Sequence, residues 1–161
     1  MNFQKTFMLP EQWGASTKSY RKAGRWVVFD ENNLIPLLFV EKDNYHKLPW
    51  WWIQGDEDKI LAFKRELLEE AWCEVDHIQE VWTVVEQNST WEQISYCFIW
   101  KVTKKLTQNF TLEEQEKWYY LKRLPIDQAL RTILSDLPST DGGKRVQQRD
   151  LYILQEIQKA L

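Results

Sequence analysis

An amphipathic helix is the clearest pattern in the chain. It is predicted over residues 58–71, because this stretch contains no glycine or proline and is dominated by Leu, Lys, Glu, Ala and Arg. At roughly 100° per residue, one side of the helix carries Ile60, Leu61, Lys64, Leu67, Leu68 and Ala71. We expect its apolar positions Leu61, Leu67 and Leu68 to be buried against a sheet. The opposite side carries three carboxylates about one turn apart, those of Glu66, Glu69 and Glu70.

The rest of the pattern alternates short β-strands with helices. Strands are predicted at 24–30, 34–40, 75–86, 94–102 and 118–121, and further helices at 126–134 and 144–161. Pro36 favours an edge position or a local interruption for the second strand. A loop is expected at 137–143, and the helix after it should turn inward Leu151, Leu154, Ile157 and Leu161. Strands interleaved with helices predict an α/β fold, in which a mixed sheet is covered on both faces.

Composition limits the classes of protein. The 161 residues are 43% hydrophobic and 28% charged, as in a soluble globule, and this length suits one domain over residues 1–161. A net charge of −3 gives no electrostatic case for nucleic-acid binding, and no apolar run reaches the ~20 residues of a membrane span. Cys73 and Cys97 form no CxxC pair and are expected to be reduced core thiols. We therefore expect a cytoplasmic protein that binds neither nucleic acid nor membrane, with a homodimer left open.

The acidic side of the first helix carries the candidate chemistry. Three carboxylates at this spacing repel one another unless a cation lies between them, and oxygen ligands of this kind suit Mg²⁺ or Mn²⁺. An acidic helix face can also be plain solvated surface, which is the commoner case for an isolated E-x-x-E-E pattern. Arg65 and the fixed distance back to Glu57 favour the metal site over the solvated surface.

The segment 48–73 resembles the Nudix box, G-x(5)-E-x(7)-R-E-U-x-E-E-x-G-U, in which U is a bulky aliphatic residue. Six of the nine defined positions match in register, and Cys73 passes as the final apolar position. The six are Glu57, Arg65, Glu66, Leu67, Glu69 and Glu70. The two box glycines are replaced by Trp51 and Trp72. The preceding L-P-W-W-W stands where the family has L-P-G-G-G, and the likeness extends over residues 21–134.

This resemblance implies a Nudix-type α/β/α sandwich, with a C-terminal helix at 144–161. It also implies a hydrolase that cleaves the pyrophosphate bond of a nucleoside diphosphate linked to another moiety. In such an enzyme Glu66, Glu69 and Glu70 would hold Mg²⁺ or Mn²⁺, and one of them could act as base for the attacking water. Glu57 would support the site, and Arg65 would orient the carboxylates by charge-assisted hydrogen bonds. The substrate would be a small molecule of the nucleotide type.

Four tryptophans, at positions 50, 51, 52 and 72, occupy the places of glycines. The chain has 5 Gly and 10 Trp, whereas average usage predicts about 11 Gly in this length. Tryptophan at a positive φ costs on the order of 1–3 kcal/mol, so strain is expected if these positions keep the family's loop. Decay of the site, a cloning artefact, or a codon that means glycine in the source would each explain the exchange. The alternative function is therefore a degenerate, weak or inactive Nudix module that binds a nucleotide or a protein partner.

Three weaker candidates accompany the box. A basic cluster could bind a terminal phosphate, although a solvated charge run is the commoner structure; it consists of Lys18, Arg21, Lys22 and Arg25. A fourth metal carboxylate is left open among Glu86, Glu92, Glu113 and Glu114. Three aromatic residues could stack on a base, although a core role is commoner; these are Trp91, Trp118 and Tyr119.

Overall fold

The computed structural model describes residues 3–8, 18–55, 57–66, 73–75, 78–87, 90–105 and 121–161. The strands are β1 (Phe3–Met8), β2 (Ser19–Phe29), β3 (Ile35–Val40), β4 (Tyr45–Lys47), β5 (Trp50–Trp52), β6 (Cys73–Val75), β7 (Gln79–Gln87), β8 (Trp91–Lys105) and β9 (Leu121–Leu124). The helices are α1 (Lys59–Glu66), α2 (Ile126–Ser135) and α3 (Asp141–Ala160), with a 3₁₀ turn at Glu41–Asp43. Among the described helices, none combines the length and apolar character that crossing a membrane requires.

The larger sheet has the strand order β1-β7-β8-β2-β5, and β6 pairs with the far end of β8. Strand β2 runs parallel to β8 along its whole length, and β1 runs parallel to β7. The pairs β7/β8 and β2/β5 are antiparallel. A smaller antiparallel sheet has the order β4-β3-β9. The predicted mixed sheet is therefore confirmed.

Both faces of the larger sheet are covered by helices. Successive side chains of β2 point to opposite faces, so the strand contributes to the packing on each. Val27 and Phe29 pack into a core cluster with residues of α2 and α3, including Ile133 and Leu154. Trp26 and Val28 pack on the other face, with Ala62 and Phe63 of α1. Helices thus lie on either side of the sheet, which is the expected α/β/α sandwich.

Helix α1 begins where the sequence predicts but buries a different side. The Asp58 carboxylate accepts hydrogen bonds from the backbone N–H groups of Ile60 and Leu61, at 2.9 and 3.0 Å, and so caps the helix. The predicted burial of Leu61 is wrong, since its side chain is 64% exposed. Ala62 and Phe63 are fully buried instead, because Phe63 stacks on Phe98 with ring centroids 5.5 Å apart. The predicted core positions Leu67 and Leu68 lie outside the described residues.

Strand β3 is the central strand of the smaller sheet, so of the two alternatives expected at Pro36 the local interruption is confirmed and the edge position is not. Its neighbour β4 pairs only with Leu38 to Val40, and Pro36 lies opposite Arg123 of β9 alone. Proline is tolerated there because one side of the strand is locally unpaired and its missing N–H is not needed.

Helix α3 begins at Asp141, three residues before the predicted start at 144. The Thr140 hydroxyl accepts a hydrogen bond from the Gly143 N–H at 3.0 Å, so the two glycines that were expected in a loop form the first turn. Leu154 and Ile157 are buried and Leu151 is half-buried, as expected. The predicted inward position of Leu161 is wrong, since it follows the last helical residue and is 73% exposed.

Candidate active site

The segment that leads into the box is fixed at Leu48 and Pro49. The fully buried Leu48 donates its backbone N–H to the Asp150 carboxylate of α3 at 2.8 Å. The Pro49 carbonyl accepts from the Trp26 N–H at 3.4 Å. The chain therefore enters β5 held on one side by α3 and on the other by β2.

The three tryptophans that follow form a regular strand. Trp50, Trp51 and Trp52 pair antiparallel with Arg25, Gly24 and Ala23 of β2. Among the described non-glycine residues, only Asn33 and Asn44 have a positive φ. The strain expected at Trp50, Trp51 and Trp52 is therefore not found, because an extended strand replaces the glycine loop.

Trp51 is part of the hydrophobic core, with 3% of its surface exposed. Its indole lies 4.9 Å from the Phe63 ring and 5.7 Å from the Phe98 ring, measured between centroids. The indole rests directly on Gly24, where an added Cβ would lie 2.0 Å from Trp51 Cζ2, so only glycine fits opposite it. Among the described residues, the indole N–H has no hydrogen-bond partner, which costs about 1–3 kcal/mol.

Trp50 and Trp52 point to the other face of the sheet and contact cations. The two indoles meet edge to face, with centroids 4.5 Å apart. Arg21 lies 5.6 Å from the Trp52 ring, and Arg25 and Lys47 lie 5.0 and 5.4 Å from the Trp50 ring. These distances suit cation–π attraction. Positions that the family fills with glycine therefore form a cationic aromatic surface in this chain.

The structure brings the side chains of two box residues, Glu57 and Arg65, into contact. A turn brings the Glu57 N–H to the Gln54 carbonyl at 2.9 Å, with Gly55 at a φ of +51°. Arg65, two turns along α1, donates from both Nε and Nη2 to Glu57 Oε1 at 3.4 Å each. Both side chains are partly exposed, so this pair contributes little stability. Its effect is to fix the position of the Glu57 carboxylate beside the helix.

Helix α1 is also fixed at its first turn. Lys59 forms an ion pair with Glu80 of β7, and its ammonium lies 4.6 Å from the centroid of the Tyr96 ring. The helix that carries the box is thus held to the sheet by a charged contact as well as by Phe63.

The predicted metal ligands are described only in part. Glu66 is the last residue of α1, and Glu69, Glu70 and Trp72 lie outside the described residues. Within the part of the chain that the structure covers, no three His, Cys, Asp or Glu side chains come close enough to hold a metal ion. The donor set of the box consists of carboxylates, which is the chemistry that Mg²⁺ and Mn²⁺ prefer. Metal binding by Glu66, Glu69 and Glu70 stays a prediction.

Two candidates for a fourth metal carboxylate have other partners. Glu86 is buried and accepts hydrogen bonds from Arg149 at 3.2 Å and from Gln93 at 3.3 Å. Glu92 pairs with Lys18 at 2.8 Å. The contacts of Glu86 and Glu92 therefore do not direct either carboxylate toward the box. The candidates Glu113 and Glu114 lie outside the described residues.

A buried ion network was not predicted from the sequence. Arg149 of α3 lies between the carboxylates of Glu86 and Asp150, at 3.2 and 2.9 Å, and all three side chains are buried. Burial alone would lower the pKa of Arg149, but the adjacent carboxylates of Asp150 and Glu86 raise it above its ordinary value. The sequence signal for the burial of Arg149 and Asp150 is their spacing, because they lie one helical turn before the buried Ile153 and Leu154.

The basic cluster ahead of the first core strand is only partly a solvated run. Lys22 is exposed, whereas Arg25 is 3% exposed and belongs beside the ion network. Burial, followed by repulsion from Arg149, lowers the pKa of Arg25. Its guanidinium donates to the Gly24 carbonyl at 3.1 Å, and its Nε has no hydrogen-bond partner among the described residues.

The architecture is similar to that of a solved structure, the mutator MutT protein from Bacillus halodurans. The TM-score is 0.53 at 16% sequence identity, and the match covers 80% of this chain and 80% of that chain. No protein-family model matches the sequence, and no curated protein matches it either. The similarity shows that the chain has a Nudix-type fold. At this level of identity a shared fold does not establish a shared reaction.

Proposed function

We propose that this protein is a divalent-metal-dependent hydrolase of the pyrophosphate bond in a nucleoside diphosphate linked to another moiety. The observation that carries this proposal is the contact between Glu57 and Arg65. These residues are eight positions apart and join the turn before α1 to the end of α1, inside a MutT-like fold. A solvated acidic helix would not require this pairing.

The roles proposed for the box residues follow from their chemistry. Glu66, Glu69 and Glu70 hold the cation, and Arg65 keeps the Glu57 carboxylate oriented beside them. When bound, Mg²⁺ or Mn²⁺ would neutralise diphosphate charge and lower the pKa of a coordinated water.

A hydrolysis assay tests the reaction. Purified protein would be incubated with ADP-ribose, nucleoside triphosphates, dinucleoside polyphosphates and sugar nucleotides, each with Mg²⁺ or Mn²⁺, and the released nucleotides would be measured. We expect metal-dependent turnover of at least one substrate, and loss of about 100-fold or more in kcat for Glu69→Gln or Glu70→Gln. Asp141→Asn is the matched control, because this carboxylate is almost fully exposed at the start of α3. Equal activity in all variants would contradict the proposal.

Metal binding can be tested without any substrate. A cation that binds only the folded chain raises the melting temperature, and the increase grows with the ratio of the cation concentration to its Kd. We expect Mn²⁺ at millimolar concentration to raise the Tm of the wild-type chain but not that of Glu69→Gln/Glu70→Gln. Absence of Mn²⁺ binding to the wild type in calorimetry would show that the acidic face is only solvated surface.

The second candidate function is a non-hydrolytic binding module, and the cationic aromatic surface of Trp50 and Trp52 favours it. Restoring glycine at positions 50 and 52 separates the two candidates, whereas Trp51 is kept because it is a core residue. In an enzyme hindered by its tryptophans, this variant should gain kcat. In a binding module it should lose ligand affinity without gaining activity.

A further inference from the structure

We propose that the cleft beside Trp52 is the subsite for the nucleoside phosphate portion of a ligand. In this subsite the base stacks on the Trp52 indole, and phosphate oxygens bind to Arg21 and Lys22. As a step in catalysis this inference rests on the proposed function, whereas the binding itself does not. The cleft has a volume of about 570 Å³, within the range of small-molecule sites. It is lined by Tyr20, Arg21, Lys22, Trp52, Ile53 and Gly55.

The cleft presents aromatic surface to solvent. Trp52 is 40% exposed and Tyr20 is 69% exposed. Strand β5 is the last strand at its edge of the described sheet, so no further described strand lies beside Trp52. Planar bases stack on such surfaces with little regard to base identity.

The Trp52 indole is already held in place. Arg21 lies 5.6 Å from its centroid, and the Trp50 ring contacts it edge to face at 4.5 Å. The strand beneath is fixed by the hydrogen bond from the Ile53 N–H to the Lys22 carbonyl, at 3.1 Å. A ligand would therefore lose little free energy in ordering this surface.

The charge of the cleft suits an anion. Arg21 and Lys22 are exposed cations, and none of the six described lining residues is acidic. The neighbouring Lys18 is neutralised by Glu92. The site is thus locally positive in a chain whose net charge is −3, and this local field favours a phosphate over a neutral ligand.

The position of the cleft connects it to the box. Gly55 lines one end of the cleft and lies two residues before Glu57, whose carboxylate binds Arg65. Because the Trp52 indole lies on the face of the sheet opposite α1, the cleft meets the box through Gly55 at the edge of the sheet. This placement gives the cleft a role in selecting the nucleoside portion, separate from the carboxylates of the box.

The test measures ADP binding by calorimetry in buffer with EDTA, where no metal-dependent hydrolysis occurs. We expect Trp52→Ala to weaken ADP binding about 5- to 150-fold, the range given by loss of one stacked base. Trp52→Phe should retain affinity within about threefold, because the ring is kept. Arg21→Gln and Lys22→Gln should each weaken both ADP and inorganic pyrophosphate, whereas Trp52→Ala should leave pyrophosphate binding unchanged. Arg131→Gln, on the exposed side of α2, is the control for loss of a surface cation.

Each result decides one of the two proposals. Absence of ADP binding to the wild type, or equal ADP affinity in the wild type and a folded Trp52→Ala variant, overturns the subsite. The expected binding pattern without hydrolysis in Mn²⁺ would leave the subsite standing and remove the proposed reaction. Hydrolysis with an unchanged KM in Trp52→Ala would leave the proposed reaction standing and remove the subsite. Circular dichroism on each variant verifies that the edge strand still folds.

Discussion

The two faces of the larger sheet are built on different principles, although the same strands supply both. The aromatic face, made of Trp51, Phe63 and Phe98, carries α1. The opposite face carries the ion network beneath α3, in which Arg149 lies between Glu86 and Asp150. The stability of the aromatic face depends on the buried area and shape of its side chains, so it tolerates substitution by rings of similar size. The ion network depends on exact partners, because removing one member leaves another charge buried without compensation.

Strand β5 divides its tryptophans between these faces. Trp51 fills the aromatic face and needs Gly24 opposite it, whereas Trp50 and Trp52 lie toward the cations. Three identical neighbours therefore have two structural roles, set by the twofold alternation of a strand. Trp51 contributes to stability, whereas Trp50 and Trp52 contribute to the surface available to ligands.

The largest effect is expected from Asp150→Ala. This change leaves Arg149 and Arg25 without their closest shared carboxylate and removes the acceptor of the Leu48 N–H. We expect a loss of about 3–5 kcal/mol in the free energy of unfolding, measured by urea denaturation at neutral pH. Asp141→Asn should change it by less than about 0.5 kcal/mol. A loss below about 1 kcal/mol for Asp150→Ala would mean that the ion network does not support the fold.

The aromatic face is tested by two substitutions on the same helix. Phe63→Ala should cost about 3–5 kcal/mol, and this cost should fall in the lower part of the range if Trp51 shifts into the cavity. Leu61→Ala should cost less than about 0.5 kcal/mol, because that side chain is exposed. Similar costs for Phe63→Ala and Leu61→Ala would show that α1 packs its Leu61 side against the sheet, as the periodicity predicts.

A smaller effect than that of Asp150→Ala or Phe63→Ala is expected at neutral pH from Cys97→Val, which should change stability by less than about 1.5 kcal/mol. Cys97 is fully buried, and burial raises the pKa of its thiol from 9.0 to about 12. Between these values the unfolded chain loses the thiol proton and the folded chain keeps it. The contribution of Cys97 is therefore fully present below pH 9 and is lost as the pH rises toward 12.

The comparison of wild type and Cys97→Val should reveal this dependence. The unfolding free energy of the wild type should fall relative to that of Cys97→Val by about 1.4 kcal/mol per pH unit between pH 9 and pH 10.5, with Cys73→Ser in both proteins as a common background. A constant difference across this range would contradict the raised pKa.

Local patterns of hydrophobic and polar residues predicted much of the fold. The strands around Val27 and Phe98, the helix start at Asp58 and the two C-terminal helices follow from alternation, capping and helical spacing. Within α1 the periodicity predicted burial of Leu61, which is wrong. Phe63 determines the buried side instead, because an aromatic stack with Phe98 buries more surface than Leu61 could.

Features that depend on distant partners could not be predicted. Strand β1 forms only by parallel pairing with β7, and β5 forms a strand because β2 offers an edge at Gly24. Arg25 and Arg149 resemble surface charges in the sequence, and only the tertiary arrangement places them inside. For the candidate site, the box resemblance singled out Glu57 and Arg65, but their direct ion pair is a finding of the structure. The Trp52 cleft was missed because the tryptophans were expected to distort a loop.

The hydrogen bond between the Leu48 N–H and the Asp150 carboxylate spans 102 residues of chain. At ribosomal speeds of 5–20 residues per second, Asp150 is synthesised roughly 5 to 20 s after Leu48. Once residue 73 has been added, the nascent chain carries the whole box, yet the segment leading into it has no anchor on α3. The segment leading into the box therefore gains this anchor only late in synthesis, after its contacts with β2 have become possible.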